Sequence, residues 1–94
     1  MAIIISPKIA EKLQKKHSVS HDEVTQCFAN RDGRLLVDTR EDHASDPPTL
    51  WFVAETDYGR LLKIAFVQRD GDIYLRTAYQ ANAEEIRIYE KYGK

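Results

Sequence analysis

The chain has 94 residues, of which 43% are hydrophobic and 31% are charged, and its formal net charge is −1. This length suits one domain with one core, and this composition excludes a wholly disordered chain. The small net charge argues against a protein that coats nucleic acid through bulk electrostatics. We therefore expect a single globular domain over residues 1–94.

Cysteine content and the first residues indicate the compartment. Cys27 is the single cysteine, so an intrachain disulfide is impossible, and no Cys and His residues have zinc spacing. The apolar start Ile3-Ile4-Ile5 stops at Ser6 and lacks a basic leader, so it is too short for a signal peptide or a membrane span. We expect a cytoplasmic protein that works without a cofactor, a metal or a membrane.

The first third of the sequence predicts a short strand and two helices. The β-branched run at residues 3–5 favours a strand, and Ser6 followed by Pro7 is typical of a helix start. This helix is expected to end near His17. A second helix begins at Ser20, which forms a capping box with Glu23, and the breaker-rich residues 30–33 end it.

The rest of the sequence predicts a sheet and a last helix. Asp70-Gly71 is the strongest hairpin signal in the chain, because both residues tolerate positive φ. Asn82 and Glu85 form a second capping box, which opens a helix with Ile86, Tyr89 and Tyr92 as its apolar face. Alternation and turn signals place four strands at residues 35–38, 50–56, 61–69 and 73–81.

These elements predict an α+β fold in which helices form a layer against a four-stranded antiparallel meander. Strict alternation along the last strand groups Tyr79 with Ile73 and Leu75 on the face beneath the helices. Lys63 and Arg76 then share the opposite face, with Tyr79 near its rim. A one-residue bulge would change this grouping.

The sequence holds no phosphate-binding loop, dinucleotide fingerprint or hydrolase elbow. Taken alone, Tyr79 fits a half-buried tyrosine, Glu85 a capping residue and Tyr89 a core residue. Lys12 and Lys16 lie on a lysine-rich first helix, which fits either a solvated charged face or a local basic groove.

Several segments resemble the BrnT family of toxins. Residues 73–90 resemble the end of that family, where an isoleucine-rich strand reaches Ala and Arg before a helix with a Glu and a later Tyr. The run Lys16-His17-Ser18-Val19-Ser20 is similar to the family's Lys-His-Gly-Val-Ser segment. Residues 59–62 are similar to its central hairpin, and Arg40, two residues after Asp38, resembles its Asp-x-Arg. The similarity spans nearly the whole chain in the same order.

This resemblance implies a RelE/ParE-like fold and the toxin half of a bacterial type II toxin–antitoxin pair. BrnT-like toxins are metal-independent endoribonucleases that inhibit translation by cleaving RNA. Their partner is a small antitoxin with a ribbon-helix-helix DNA-binding module, and operator DNA is bound only through that antitoxin. One departure stands out, because Tyr79 occupies the position of the family's strand-end arginine.

RNA cleavage of this type needs a base for the 2′-hydroxyl, a cation beside the phosphate and an acid for the leaving oxygen. We assign proton transfer to His17, whose ordinary pKa suits it, and an orienting or protonating role to Tyr79. Cationic residues would stabilise the phosphate or bind RNA: Lys63 and Arg76 at the site, and Arg40, Lys12 and Lys16 around it. The alternative is a non-catalytic RelE-fold binding or regulatory domain that has lost the active-site arginine.

Overall fold

The computed structural model describes residues 2–40 and 46–94, so residues 41–45 of the expected polar loop lie outside it. In these ranges no helix is both long and apolar enough to cross a membrane. The elements are, in chain order, β1 (Ile3–Ile4), α1 (Pro7–Lys12), a π-helical turn (Leu13–His17), α2 (His21–Asn30), β2 (Leu36–Val37), β3 (Thr49–Glu55), β4 (Leu61–Arg69), β5 (Asp72–Gln80) and α3 (Ala83–Tyr92).

The helix starts form as the sequence predicts. The Ser6 hydroxyl accepts a hydrogen bond from the backbone N–H of Ile9 at 3.3 Å. Ser20 and Glu23 complete both halves of a capping box, as do Asn82 and Glu85 at the start of α3. These boxes satisfy backbone donors that a helix leaves without an internal partner, which fixes where α2 and α3 begin.

The sheet has the order β1-β5-β4-β3-β2, in which β1 is parallel to β5 and all other pairs are antiparallel. The predicted antiparallel meander is confirmed, and β4 lies at the centre of the sheet. The hairpin at Asp70 and Gly71 is confirmed too, with φ angles of 54° and 83°. The predicted strand at residues 35–38 is shorter, since only Leu36 and Val37 pair with β3.

Helices cover both faces of the sheet, which corrects the prediction of a single helical layer. Phe28 of α2 packs edge-on against Phe52 of β3, with ring centroids 4.9 Å apart. The ring centroid of Tyr89 on α3 lies 6.0 Å from that of Trp51. Trp51 and Phe52 are consecutive residues of one strand, so α2 and α3 lie on opposite faces. Tyr92, expected on the apolar face of α3, is 58% exposed.

A β-bulge in β5 changes which side chains share a face. Thr77 pairs with Ala65 and Leu75 pairs with Phe66, so Arg76 is an extra residue between them. Alternation therefore restarts at Thr77, and Tyr79 lies opposite Lys63 on the face covered by α3. The prediction that Tyr79 shares a face with Leu75 is wrong, and the bulge is the reason.

Candidate functional site

Four side chains meet where β5 ends and α3 begins, and we call them the Tyr79 cluster: His17, Lys63, Tyr79 and Glu85. The Tyr79 hydroxyl donates a hydrogen bond of 2.6 Å to Glu85 Oε2. Lys63 Nζ lies 3.0 Å from the same oxygen. The His17 ring packs against Tyr79 with centroids 5.5 Å apart. The structure thus brings together His17, Lys63 and Tyr79, which are three of the residues predicted from the sequence to act in catalysis.

Glu85 links helix capping to this cluster. Its Oε1 accepts the backbone N–H of Asn82 at 3.0 Å, while its Oε2 receives Lys63 and Tyr79. Burial alone would raise the pKa of Glu85, but the hydrogen bonds from Tyr79 and Asn82, together with Lys63, lower it overall. Glu85 is therefore an ionised carboxylate at neutral pH, with both oxygens engaged.

Lys63 is held beneath the surface by its neighbours. The residue is 7% exposed, and its ammonium lies 4.7 Å from the Trp51 ring centroid and 5.8 Å from that of Tyr79. Aromatic faces and a carboxylate together compensate a buried cation. The charge of Lys63 is thus balanced by Glu85.

Tyr79 carries a firmly bound proton. Burial, followed by the hydrogen bond to Glu85, raises its pKa to about 12. A phenolate beside an ionised carboxylate in a partly buried place is unfavourable, so the neutral phenol persists at physiological pH. A phenol of this pKa still donates a proton to a leaving alkoxide, whose conjugate acid is a weaker acid.

His17 has the opposite character, that of a proton acceptor. Partial burial lowers its pKa below the ordinary 6.5, and the nearby charges of Lys12 and Lys16 lower it further. The imidazole is therefore neutral at pH 7. Lys12 and Lys16 are both exposed and flank this ring, so the basic first helix continues directly into the Tyr79 cluster.

Arg60 fixes the end of the π-helical turn that carries His17. Its guanidinium donates to the carbonyls of His17 at 3.0 Å and Ser18 at 2.8 Å, and it pairs with Glu23 at 3.2 Å. Ser18 has a left-handed φ of 53°, which ends the turn. π-Helical turns are rare and concentrate at functional sites. Arg60 therefore ties the β3–β4 turn to the placement of His17.

A groove of about 620 Å³ adjoins the cluster on the α3 side. Arg40 and Lys63 both line it, so the structure brings Arg40 close to the predicted site. Arg40 binds Asp38 in a bidentate manner, with contacts of 3.1 and 2.8 Å. Such a fork holds the guanidinium plane in one orientation at the mouth of the groove.

Arg76 lies apart from the Tyr79 cluster. The bulge places it beside Tyr74, Val67 and Arg69, where these four residues line a small separate groove. Among residues 2–40 and 46–94, no hydrogen bond or ion pair joins Arg76 to Lys63, Tyr79 or Glu85.

Sequence reasoning missed the second role of Glu85 and the role of Arg60. The capping box explained only one oxygen of Glu85, and the partner of the other depends on the Lys63–Tyr79 register across two strands. Arg60 reaches His17 across 43 positions of the chain. The sequence signals at these two positions came from the family resemblance, through residues 59–62 for Arg60 and through the Glu-bearing helix of residues 73–90 for Glu85.

Two further features of the described ranges concern the lone cysteine and possible metal ligands. Burial raises the pKa of the Cys27 thiol to about 12, so this residue is a core thiol. Within residues 2–40 and 46–94, no three His, Cys, Asp or Glu side chains are grouped around a potential metal position.

Comparison with known proteins identifies the fold. No family model matches the chain, and no curated protein matches it either. The structure is similar to the crystal structure of the Brucella abortus ribonuclease toxin BrnT, with a TM-score of 0.65 and 15% sequence identity. The match covers 87% of this chain and 97% of that chain. The BrnT-like resemblance read from the sequence is therefore confirmed at the level of the fold.

Proposed function

We propose that this chain is a divergent BrnT-like toxin of the RelE/ParE-like superfamily and cleaves RNA without a metal ion. The observation that carries the proposal is the fold of a ribonuclease toxin over 87% of the chain. The Tyr79 cluster supports it, because a neutral imidazole and a protonated phenol lie side by side. These are the two proton-transfer groups that cleavage by the 2′-hydroxyl requires.

In the proposed reaction His17 is the base. Its neutral ring accepts the proton of the ribose 2′-hydroxyl, and the 2′-oxygen forms a bond to phosphorus as the bond from phosphorus to the 5′-oxygen breaks. Tyr79 gives its hydroxyl proton to the departing 5′-oxygen. The His17 imidazolium then returns a proton to the Tyr79 phenolate through water, which restores both groups. The products are a 2′,3′-cyclic phosphate and a free 5′-hydroxyl.

Cations around the cluster balance the charge of the phosphate. Lys12 and Lys16 are exposed and their charges act on His17, which supports the proposal that they contact the RNA backbone. Arg40 approaches from the groove on the α3 side. Lys63 acts from beneath the cluster, where Glu85 shares its charge and where it lines the same groove as Arg40.

The proposed partner is a small antitoxin with a ribbon-helix-helix module, which would connect the toxin to operator DNA. This proposal rests on the similarity to BrnT, which is a ribonuclease toxin, and on the antitoxin partner that the family resemblance implies. The proposed place of action is the cytoplasm, where RNA is the substrate.

The second candidate is a non-catalytic binding or regulatory domain of the same fold. The observation that favours it is the pairing of Lys63 with Glu85, which neutralises the most central cation of the cluster. Tyr79 also stands where the family has an arginine, and a phenol lacks the guanidinium fork that binds phosphate.

Expression in bacteria with and without the neighbouring open reading frame separates the two candidates. The toxin proposal predicts growth arrest that the neighbour relieves, together with RNA cleavage in the presence of EDTA. A folded protein that causes neither arrest nor cleavage would overturn it and favour the non-catalytic domain.

A further inference from the structure

Part of the sheet face that carries Lys63 is open to solvent. α3 packs over Trp51 and Lys63, whereas Tyr74 on the same face is 39% exposed. Tyr74 lies opposite Val67 on β4, as Tyr79 lies opposite Lys63. Val67 and Lys63 are four residues apart on one strand, so all four side chains share this face.

The solvent-exposed part of this face carries two arginines. Arg69 and Arg76 lie with Tyr74 around a groove of about 150 Å³. Among residues 2–40 and 46–94, neither guanidinium forms an ion pair. Asp70 and Asp72 are the nearest acids in sequence, and the Asp72 carboxylate accepts the Ala2 N–H at 3.0 Å. In the part of the chain that the structure describes, an exposed aromatic ring is therefore flanked by two arginines without an ion pair.

The bulge in β5 is what connects this surface to the Tyr79 cluster. In a strand without a bulge, Tyr74 and Arg76 would face away from Tyr79. The extra residue of the bulge places Tyr74 and Arg76 on the same face as Tyr79. The β4 partners of Tyr74 and Tyr79, Val67 and Lys63, are four residues apart, so the two tyrosines lie about 13 Å apart at roughly 3.3 Å per residue, which a short single strand of RNA spans.

We propose that Arg69, Tyr74 and Arg76 form a binding subsite for single-stranded RNA beside the bond that is cut. A base stacks on the Tyr74 ring, and the two guanidiniums contact the flanking phosphates. Exposed sheet aromatics next to arginines recognise unpaired bases in this way with little sequence preference. The inference rests on the proposed function, and it gives Arg76 a binding role in place of the catalytic role predicted from sequence.

Binding of a 2′-O-methylated, dye-labelled oligonucleotide tests this subsite, because such RNA cannot be cleaved by its own 2′-oxygen. Fluorescence anisotropy of Tyr74→Leu should give binding about tenfold weaker than wild type. A plot of log K against log salt has a negative slope, and Arg76→Gln should make that slope shallower by about 0.7, the loss of one phosphate contact. The matched controls are Tyr58→Leu, at a tyrosine that is 94% exposed on the β3–β4 turn, and Arg87→Gln, whose side chain is 76% exposed. Both controls should bind as wild type does.

The outcomes separate this inference from the proposed function. RNA binding that depends on Tyr74 and Arg76, without cleavage of unmodified RNA, would sustain the subsite and overturn the ribonuclease. Cleavage by wild type with unchanged binding in Tyr74→Leu and Arg76→Gln would overturn the subsite alone. Self-association that Tyr74→Leu abolishes while RNA binding persists would also overturn it, since this face would then be a contact between copies.

Discussion

Lys63 Nζ and Glu85 Oε2 lie 3.0 Å apart, and the two side chains are only 9% and 14% exposed. This pair connects the central strand to the first turn of α3, with the Tyr79 hydroxyl bound to the same carboxylate oxygen. A charge buried in this way is stable only while its partner is present. The geometry of the Tyr79 cluster and the stability of the fold therefore depend on one carboxylate.

The first prediction concerns the charge of Glu85. Glu85→Gln keeps an oxygen for the capping box but leaves Lys63 without a counter-charge, so we expect a loss of about 2–3 kcal/mol in the free energy of unfolding. Glu84→Gln is the matched control, because Glu84 is 73% exposed and loses the same helix-end charge. Its cost should stay below about 1 kcal/mol in urea unfolding. Equal losses for both variants would contradict a stabilising Lys63–Glu85 pair.

The second prediction is the acid dependence of stability. The folded-state pKa of Glu85 lies below its ordinary 4.5, so the unfolded chain takes up the proton first. The stabilisation of the fold by the ionised Glu85 carboxylate is therefore complete above pH 4.5 and is lost as the pH falls through the folded-state pKa. The stability difference between wild type and Glu85→Gln should therefore shrink below that pH. A difference that stays constant down to pH 3 would contradict this account.

The third prediction concerns the phenol of Tyr79. In protein labelled with ¹³C at the tyrosine ζ carbons, the Tyr79 resonance should titrate with a pKa of about 12. In Glu85→Gln the pKa should fall toward 10.0, yet stay above it, because burial remains the larger cause of the shift. A Tyr79 titration near its ordinary value in wild type would contradict both the burial of this phenol and its hydrogen bond to Glu85.

The fourth prediction concerns Arg60. Arg60→Gln removes the donors that hold the carbonyls of His17 and Ser18, so we expect a loss of about 2 kcal/mol in stability. The His17 ring should also leave Tyr79, and its pKa should rise toward the ordinary 6.5. The readout is the NMR titration of the imidazole.

Arg31→Gln is the control for Arg60, since Arg31 donates to the Gly33 carbonyl at 2.6 Å and does not contact His17. Its His17 titration should match that of wild type. If Arg60→Gln lowers stability but leaves the titration of His17 unchanged, Arg60 supports the fold without positioning this ring.

The sequence predicts those features that depend on neighbours along the chain. The capping boxes at Ser20 and Asn82, the Asp70-Gly71 hairpin and the bounds of β4 all have short-range signals, and all are confirmed. The α+β class follows from their order.

The features that the sequence did not predict depend on pairing between distant residues. A bulge at Arg76 shifts the pairing of β5 with β4 by one residue, and no pattern in the local sequence marks it. This shift nevertheless determines that Tyr79 faces Lys63. Glu85 has a complete local explanation as a cap, which conceals its contact with Lys63. The position of α3 on the second face of the sheet depends on Trp51 and Tyr89, which are distant in sequence.

The most direct test of the central claim is an assay of purified, folded protein with single-stranded RNA in EDTA, with analysis of the product ends. We predict fragments that carry a 2′,3′-cyclic phosphate, and rates at least about 100-fold lower for His17→Gln and Tyr79→Phe than for wild type. Tyr58→Phe, at a tyrosine far more exposed than Tyr79, should cleave as wild type does. Intact RNA after incubation with the folded protein, or cleavage that His17→Gln and Tyr79→Phe leave unchanged, would contradict the assignment of the Tyr79 cluster as a ribonuclease site.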